Sequence, residues 1–197
     1  MQNDHPEKGS SCSVDPIRNL EDIQAIEKLL SSNPRDRLLF VLGTNNGLRV
    51  NDLLNLKVKD VKGLKAGDSL MVTESKTGKR NWIVINKKVH KALSHYFDSN
   101  PDLSPDDALF KSRKTGKALQ IQAVNKMIKS WTEAINLHGR FGCHTLRKTW
   151  GYHMRTKYGA GFEVIAKRFN HSSPAVTMRY LGIEDKEVHS LLMNEVG

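Results

Sequence analysis

The sequence contains only two cysteines and no long hydrophobic run. Cys12 and Cys143 are far apart and form no Cys-x-x-Cys pair, which argues against both a disulfide framework and a zinc finger. No apolar run approaches the roughly 18 residues that a membrane-spanning helix needs, and the first residues lack the apolar core of a signal peptide. These absences favour a protein of the reducing cytoplasm that makes no use of a membrane.

Acidic residues are also scarce relative to basic ones. The 197 residues include 31 Lys and Arg but only 21 Asp and Glu, so the formal net charge is +10. This excess favours a polyanionic partner, most simply nucleic acid, although a well-solvated surface or a membrane-surface protein can have the same composition. The length fits one domain with a substantial core, and two small domains are the alternative.

The periodicity of apolar residues predicts a mainly α fold with a small antiparallel β-sheet (α+β). Residues 1–14 are polar and are predicted to be a disordered lead-in, and residues 15–197 are predicted to form a single domain. Between Ser69 and Ile85 apolar residues alternate with period two, which predicts a β-hairpin, and a short extended pair is predicted near 109–119. Helical spacing predicts a helix from 17 to about 31 and a second from 34 that Gly43 and Gly47 end. It predicts further helices at 47–56, 87–97, 120–137, 143–158, 162–169, 174–180 and 184–196.

The turn of the predicted hairpin is strongly basic. It carries three cations, Lys76, Lys79 and Arg80, and such a tip can reach a groove or a scissile phosphate. The alternative is a solvated turn whose charge protects an edge strand. A second Lys-Thr-Gly-Lys sequence at 114–117 is predicted to be a similar turn and not a repeat.

Arg49 and Asp52 lie three residues apart where a short helix is predicted to begin. An arginine just after Gly47 stands near a helix N-terminus, where free N–H groups also favour anions. The alternative is a surface ion pair between Arg49 and Asp52, and for this segment in isolation that interpretation is favoured.

Histidine, arginine and tyrosine recur in two stretches near the carboxyl end. His144 and Arg147 are three residues apart, so on a helix they project from one face and could converge on a small anion, while Leu146 turns towards the core. His171 follows, and Tyr180 lies nine positions further on. Two cationic donors and a phenol fit a site for phosphoryl transfer to tyrosine.

Each of these residues has an ordinary interpretation when it is taken alone. His144 fits a satisfied helix histidine, His171 a surface histidine and Tyr180 an interfacial aromatic. Tyr152 and Tyr158 are competing nucleophiles on the helix that carries His144 or at its end. The joint spacing, and not any single residue, favours an active site.

The order and spacing of these residues resemble the tyrosine recombinase (phage integrase) family. The similarity runs from about Pro34 to Leu181 and implies the fold of that family's catalytic domain. Asp52 falls where the family places an acidic residue, which implies a supporting role in orienting the cations. The residues that match the family's catalytic set are Arg49, Lys76, His144, Arg147, His171 and Tyr180.

The resemblance implies a site-specific DNA recombinase or integrase that cleaves and rejoins DNA strands. Tyr180 would attack a phosphodiester, giving a 3′-phosphotyrosyl link and a free 5′-hydroxyl. Because the bond energy is kept in the covalent intermediate, rejoining would need no ATP, no metal and no other cofactor. The absence of a Walker-type loop and of clustered carboxylates agrees with this expectation.

The resemblance also implies a role for each of the other residues. Arg49 and Arg147 would grip the non-bridging phosphate oxygens, because a planar guanidinium donates paired N–H bonds. Lys76 would protonate the departing 5′-oxygen, and the nearby Lys79 is the alternative donor. His144 would act as base for the phenol, and His171 would hydrogen-bond the phosphate.

The expected partner is double-stranded DNA. Lys79, Arg80 and Lys148 are predicted to contact it, and Lys148 stands where many family members have a second histidine. Self-association on DNA is also expected, with the last helix, 184–196, packing on its own body or on a neighbour. Phe169-Asn170 replaces the family's frequent Leu-Gly before the second histidine.

Full-length family members usually begin with a helical core-binding domain, and the residues before Pro34 are too few to form one. The chain is therefore expected to be either an excised catalytic fragment or a minimal protein. Two other functions remain open on the sequence: a non-catalytic DNA-binding module of helix-turn-helix type, and a relaxing topoisomerase of type IB.

Overall fold

The chain forms α-helices and one small sheet, and the computed structural model describes residues 14–182, 189–190 and 192–195. The predicted mainly α fold with a small antiparallel sheet is confirmed. In chain order the elements are α1 (Leu20–Leu29), α2 (Pro34–Asn46), α3 (Val50–Leu54), α4 (Val58–Val61), β1 (Ser69–Thr73), β2 (Arg80–Val84), α5 (Lys87–Asp98), α6 (Ile121–Ala134), α7 (Cys143–Thr156), α8 (Phe162–Phe169) and α9 (Pro174–Leu181).

Helix α2 lies at the centre of the larger core. Its run from Leu38 to Leu42 is almost completely shielded from solvent, and the helix packs against both α5 and α7. A helix that is apolar on every side has to be surrounded by other elements. Of the two glycines predicted to end this helix, Gly47 is confirmed and Gly43 is wrong: the helix continues through Gly43 to Asn46 and stops at Gly47, which is left-handed with φ 60°. Gly43 remains helical and makes room for Leu146 of α7, whose Cδ1 lies 2.7 Å from where a β-carbon would be.

Helix α7 connects the larger core with a smaller apolar cluster. Leu146 is fully buried in the larger core, whereas Phe169 and Leu181 belong to the smaller cluster formed with α8 and α9. Gly151 of α7 lets this second cluster approach closely, since a β-carbon there would lie 2.8 Å from the ring of Phe169. One helix therefore fixes the position of the carboxyl-terminal elements relative to the rest of the domain.

The two strands pair in antiparallel register, with Met71 opposite Trp82. That pair is about half exposed, while Ile83 on the other face is fully buried. The hairpin turn and the 112–117 turn have the same backbone hydrogen bonds: the first residue donates to the sixth, and the fifth donates back to the first. Their glycines also have nearly the same φ, 66° at Gly78 and 68° at Gly116. The prediction that the two Lys-Thr-Gly-Lys sequences form similar turns is confirmed.

Several predicted boundaries differ from the observed ones. Helix α1 begins at Leu20 and not near Ile17, because the Ile17 N–H donates to Thr149 Oγ1 of α7 at 2.9 Å and the backbone of Asn19 is extended. The short helix α4 was not predicted. The predicted extended pair near 109–119 contains a single bridge, between Lys111 and Ala118. Helices α6 and α7 also end earlier than predicted, at Ala134 and Thr156.

Two predicted segments lie mainly outside the described residues. They are the lead-in at 1–14, of which only Val14 is described, and the last helix at 184–196. No helix in the described part of the chain is long and apolar enough to cross a membrane.

We expect Gly47→Ala to destabilise the domain more than Gly63→Ala. Both glycines have positive φ, so alanine should cost about 1–2 kcal/mol in backbone strain at either position. At Gly47 a β-carbon would also lie 2.6 Å from the ring of Trp150, whereas no atom lies within 4 Å at Gly63. Overpacking should add about 1–3 kcal/mol at Gly47 alone. Urea unfolding measures both changes, and equal losses would contradict the packing at the end of α2.

Candidate active site

Arg49 is positioned by the end of α2 and the start of α3. It occupies the N-cap position of α3, where its backbone is extended with φ −68° and ψ 143°. Its Nη1 donates to Glu74 Oε2 at 2.6 Å, and Asp52 instead accepts from the backbone N–H and the hydroxyl of Ser75 at 2.8 and 2.9 Å. The Arg49–Asp52 ion pair considered above is therefore wrong. Each of the two side chains has a partner in the hairpin instead, Glu74 for Arg49 and Ser75 for Asp52.

Arg147 is buried at the junction of α2, α7 and α8, with only 2% of its surface exposed. Its Nη1 donates to the carbonyl of Gly47 at 2.8 Å, and its Nη2 donates to the carbonyl of Phe169 at 2.5 Å. The guanidinium carbon also lies 4.2 Å from the centre of the Phe169 ring. These contacts satisfy two carbonyls that terminate helices and leave other N–H groups of the guanidinium for a ligand.

His144 and Tyr180 are adjacent although they are far apart in sequence. His144 Nδ1 lies 3.2 Å from the Tyr180 hydroxyl. The start of α7 is fixed by Asn125 of α6, whose side chain accepts from the Cys143 N–H at 3.0 Å. Gly142 permits this contact, because a β-carbon there would lie 2.4 Å from the Asn125 oxygen.

His171 follows the end of α8 and packs against Tyr180. The two ring centres are 5.1 Å apart, and His171 Nδ1 lies 2.9 Å from the hydroxyl of Thr177. Asn170 just before it is left-handed, with φ 50°. Asparagine tolerates this conformation better than most residues, which explains how Phe169-Asn170 can stand where Leu-Gly is frequent.

One cavity of about 320 Å³ is lined by four of the six predicted catalytic residues, together with Cys143. Lys76 is exposed on the hairpin turn and reaches this cavity. Tyr180 and His171 complete the cluster through the contacts with His144 and with each other described above. The residues that line the cavity and belong to the predicted set are Arg49, Lys76, His144 and Arg147.

The three predicted DNA contacts differ in their surroundings. Lys79 and Arg80 are exposed at and beside the hairpin turn, as a DNA contact requires. Lys148 is only 5% exposed, and its ammonium lies 4.8 Å from the centre of the Tyr180 ring. Lys148 lies on α7, one residue after the buried Arg147, and packs against the phenol and not on the open surface beside the hairpin.

Sequence reasoning missed Glu74, the residue before Ser75-Lys76. Its carboxylate is fully buried and accepts from Arg49, from Thr77 Oγ1 at 2.8 Å and from Asn81 Nδ2 at 2.8 Å. Burial opposes its ionisation, but the hydrogen bonds from Asn81 and Thr77 outweigh that effect and lower the pKa of Glu74 to about 2. The sequence contained a signal for this residue. Glu74 continues the alternation of Leu70 and Val72, the inward-facing positions of β1, and an acid at an inward-facing position indicates a buried partner.

The environment keeps both the phenol and the imidazoles neutral at neutral pH. Burial raises the pKa of Tyr180 to about 12, against the opposing effect of Arg147 and Arg49. His144 is exposed at the mouth of the site, yet its partial burial and the charges of Arg147 and Arg49 lower its pKa below 6.5. Burial and the same arginines lower the pKa of His171 to about 4.

Arg147 remains charged in these surroundings. Burial lowers its pKa to about 10, which is still well above neutral pH. Within the described part of the chain, no group of three or more His, Cys, Asp or Glu side chains is arranged to hold a metal ion. The site is thus a cationic cavity with a neutral phenol and neutral imidazoles at its edge, an arrangement that can bind an anion and accept a proton.

The chain is similar to known recombinases in both sequence and fold. Residues 18–187 match the phage integrase family. A probable integrase/recombinase of Bacillus subtilis strain 168, YoeC, is 41% identical over 175 residues, which cover 87% of this chain and 91% of YoeC. The crystal structure of the XerA recombinase superposes with a TM-score of 0.75 at 21% identity, covering 92% of this chain and 67% of that one.

A third similar protein is the XerH site-specific recombinase, whose structure was solved bound to a palindromic difH substrate. It superposes with a TM-score of 0.71 at 19% identity and covers 95% of this chain, which spans 55% of the XerH chain. The match over most of the sequence, the identity with YoeC and the shared fold lead to one conclusion. The chain belongs to the phage integrase family, the tyrosine recombinases.

Proposed function

We propose that this chain cleaves and rejoins DNA strands at specific sites through a 3′-phosphotyrosyl intermediate. The single observation that carries the proposal is the convergence of Arg49 and Arg147 on one cavity beside the Tyr180 hydroxyl. Had the two arginines opened onto separate surfaces, one phosphate could not bind both of them.

In the proposed reaction the Tyr180 oxygen attacks the phosphorus of a phosphodiester, and the bond from phosphorus to the 5′-oxygen breaks. The phenol proton passes to His144, whose neutral ring can accept it at Nδ1 because its pKa is lowered. Lys76 gives a proton to the departing 5′-oxygen. The products are a 3′-phosphotyrosyl link and a free 5′-hydroxyl, and attack by a 5′-hydroxyl reverses every step.

The arginines would stabilise the charge that gathers on the non-bridging oxygens in the transition state. Removing one such donor typically lowers the rate by on the order of 10² to 10³. Burial helps here, because an electrostatic contact is stronger where water is excluded. His171 would donate a hydrogen bond to the same phosphate, with Thr177 holding its ring.

Double-stranded DNA is the proposed substrate. The net charge of +10 and the exposed Lys79 and Arg80 beside the cavity-lining Lys76 favour a nucleic-acid backbone. The related XerH recombinase was solved in complex with its DNA substrate. Asp52 supports the hairpin by accepting from Ser75, the residue before Lys76.

Tyr180→Phe should abolish a covalent protein–DNA adduct and leave salt-sensitive DNA binding nearly unchanged. A pool of nicked suicide duplexes of randomised sequence supplies the substrate, and the adduct is detected as a shifted band on a denaturing gel. Tyr158→Phe is the matched control, since Tyr158 is 65% exposed. An adduct that persists in Tyr180→Phe, or an equal loss of binding, would contradict the assigned nucleophile.

The rate of adduct formation should fall as the pH drops, with a midpoint below 6.5. The base must be neutral, and the pKa of His144 lies below its ordinary value of 6.5, so protonation removes the acceptor only in more acidic buffer. Single-turnover rates between pH 5 and pH 8 measure this, with the pH values chosen to bracket the ordinary histidine pKa of about 6.5. His144→Gln should form the adduct more slowly, and its rate should no longer fall as the pH drops. If the rate of this variant still fell in the same way, His144 would be excluded as the cause of the pH dependence.

Lys76→Ala should lower the rate of adduct formation by about 10²-fold or more, because the departing oxygen loses its proton donor. Lys114→Ala changes the equivalent lysine of the matching 112–117 turn and should have little effect. A duplex with sulfur in place of the 5′-bridging oxygen needs no proton on its leaving group, so it should restore the rate of Lys76→Ala. If this substrate does not restore the rate, Lys76 is not the general acid.

A further inference from the structure

Glu74 is a fully buried acid in a cluster of cations, and no step of the proposed reaction uses it. Removing a carboxylate from water is costly unless it is paired and hydrogen-bonded. Glu74 meets that requirement completely: Oε2 accepts from Arg49 and Thr77, and Oε1 accepts from Asn81. Because burying a carboxylate costs free energy, the position of Glu74 needs a physical explanation.

The turn itself does not need this carboxylate. The 112–117 turn has the same backbone hydrogen bonds and the same left-handed glycine, yet Ser112 stands in the place of Glu74. In both turns the N–H of the sixth residue also donates to the threonine hydroxyl at 3.3 Å. Ser112 supports its turn with a neutral hydroxyl, which accepts from the N–H groups of Lys114 and Thr115. The reason for a charged side chain at Glu74 therefore lies in its contacts outside the turn.

Those contacts join three segments that carry proposed catalytic residues. The first is Arg49 itself, before α3, and the second is the hairpin turn with Lys76. The third is reached through Asn81, whose Nδ2 donates both to Glu74 and to the carbonyl of Arg168, three residues before His171. Arg168 in turn donates to Asn81 and to the carbonyl of Asn46 near the end of α2.

The charge of Glu74 also acts on the neighbouring cations. It favours the protonated forms of Arg147 and Arg168, against the opposing effect of burial on their pKa values. Arg49 and Arg147 meanwhile repel each other across the cavity. A buried negative charge beside Arg49 offsets this repulsion while the cavity holds no phosphate.

We propose that Glu74 is a positioning residue, whose carboxylate holds the Arg49 guanidinium at the cavity and aligns it for a DNA phosphate. The inference rests on the proposed function. It predicts an effect through Arg49, which Glu74 contacts directly, and not through the proton that Lys76 supplies. An arginine displaced by about 1 Å can lower a rate by about 10²-fold.

Glu74→Gln tests this, because it keeps the size of the side chain and removes its charge. We expect adduct formation with the nicked duplex to slow by about 10- to 100-fold, with DNA affinity within about twofold of the unmodified protein. Glu133→Gln, on an exposed part of α6, is the control and should keep the full rate. The duplex with 5′-bridging sulfur should restore the rate of adduct formation in Lys76→Ala but not in Glu74→Gln. The proposal would be overturned if the sulfur substrate restored the rate of Glu74→Gln, or if Glu74→Gln reacted with the ordinary duplex at the unmodified protein's rate.

A second comparison separates positioning from general structural support. Combining Glu74→Gln with Arg49→Ala should be no slower than Arg49→Ala alone, because the residue that Glu74 positions is then absent. A further multiplicative loss would mean that Glu74 acts elsewhere. Glu74→Asp, which retains the charge, should recover part of the rate, and urea unfolding verifies that each variant is folded.

The Arg49 side chain can also be followed without any reaction. The ion pair with Glu74 should slow rotation of the Arg49 guanidinium, so that its N–H groups give separate NMR signals. These signals are assigned by their loss in Arg49→Lys. In Glu74→Gln they should merge, because the ion pair is absent. If the unmodified protein forms no adduct but shows these signals, the proposed function fails and the positioning contact stands. If the signals are unchanged in Glu74→Gln, the positioning proposal fails by itself.

Discussion

The buried guanidinium of Arg147 is the contact on which the arrangement of the site depends. It donates to the carbonyl of Gly47, two residues before Arg49, and to the carbonyl of Phe169, two residues before His171. One side chain thus links the end of α2 with the end of α8, and α7 carries it between the two apolar clusters. Because both acceptors end helices, the bonds satisfy groups that would otherwise lack partners in a dry interior.

Burial of Arg147 close to Arg49 concentrates positive charge in the site, and a negative charge is needed to balance it. Glu74 supplies a buried negative charge beside Arg49, and its low pKa keeps it ionised. The same surroundings disfavour any further cation, so the histidines stay neutral and can exchange protons or hydrogen bonds at neutral pH. They also keep the Tyr180 phenol protonated until a base accepts its proton. Charge balance and proton transfer in the proposed reaction therefore have a common origin in the burial of the site.

Much of the fold was predictable, because apolar periodicity reports directly which residues must be buried. The helices around Leu38 and Leu146 and the Ser69–Ile85 hairpin are examples. The ends of elements were predicted less well, since they depend on partners far away in the chain. Ile17 lies outside α1, where its N–H donates to Thr149, and Gly43 lies within α2, where Leu146 packs closely against it. Lys148 was predicted as a DNA contact from its place beside Arg147, and the packing of α9 shows in addition that it faces Tyr180.

The family and the candidate site residues could be recognised before any fold was known, because the order and spacing of Arg49, His144, Arg147 and Tyr180 are properties of the linear chain. The pairing of the charges, in contrast, follows from the folded arrangement. Asp52 was the nearest acid to Arg49 in sequence, yet Glu74, which is 25 positions away, forms the bond. Electrostatic energy depends on distance and burial in space, and the packing of the hairpin against α3 determines both.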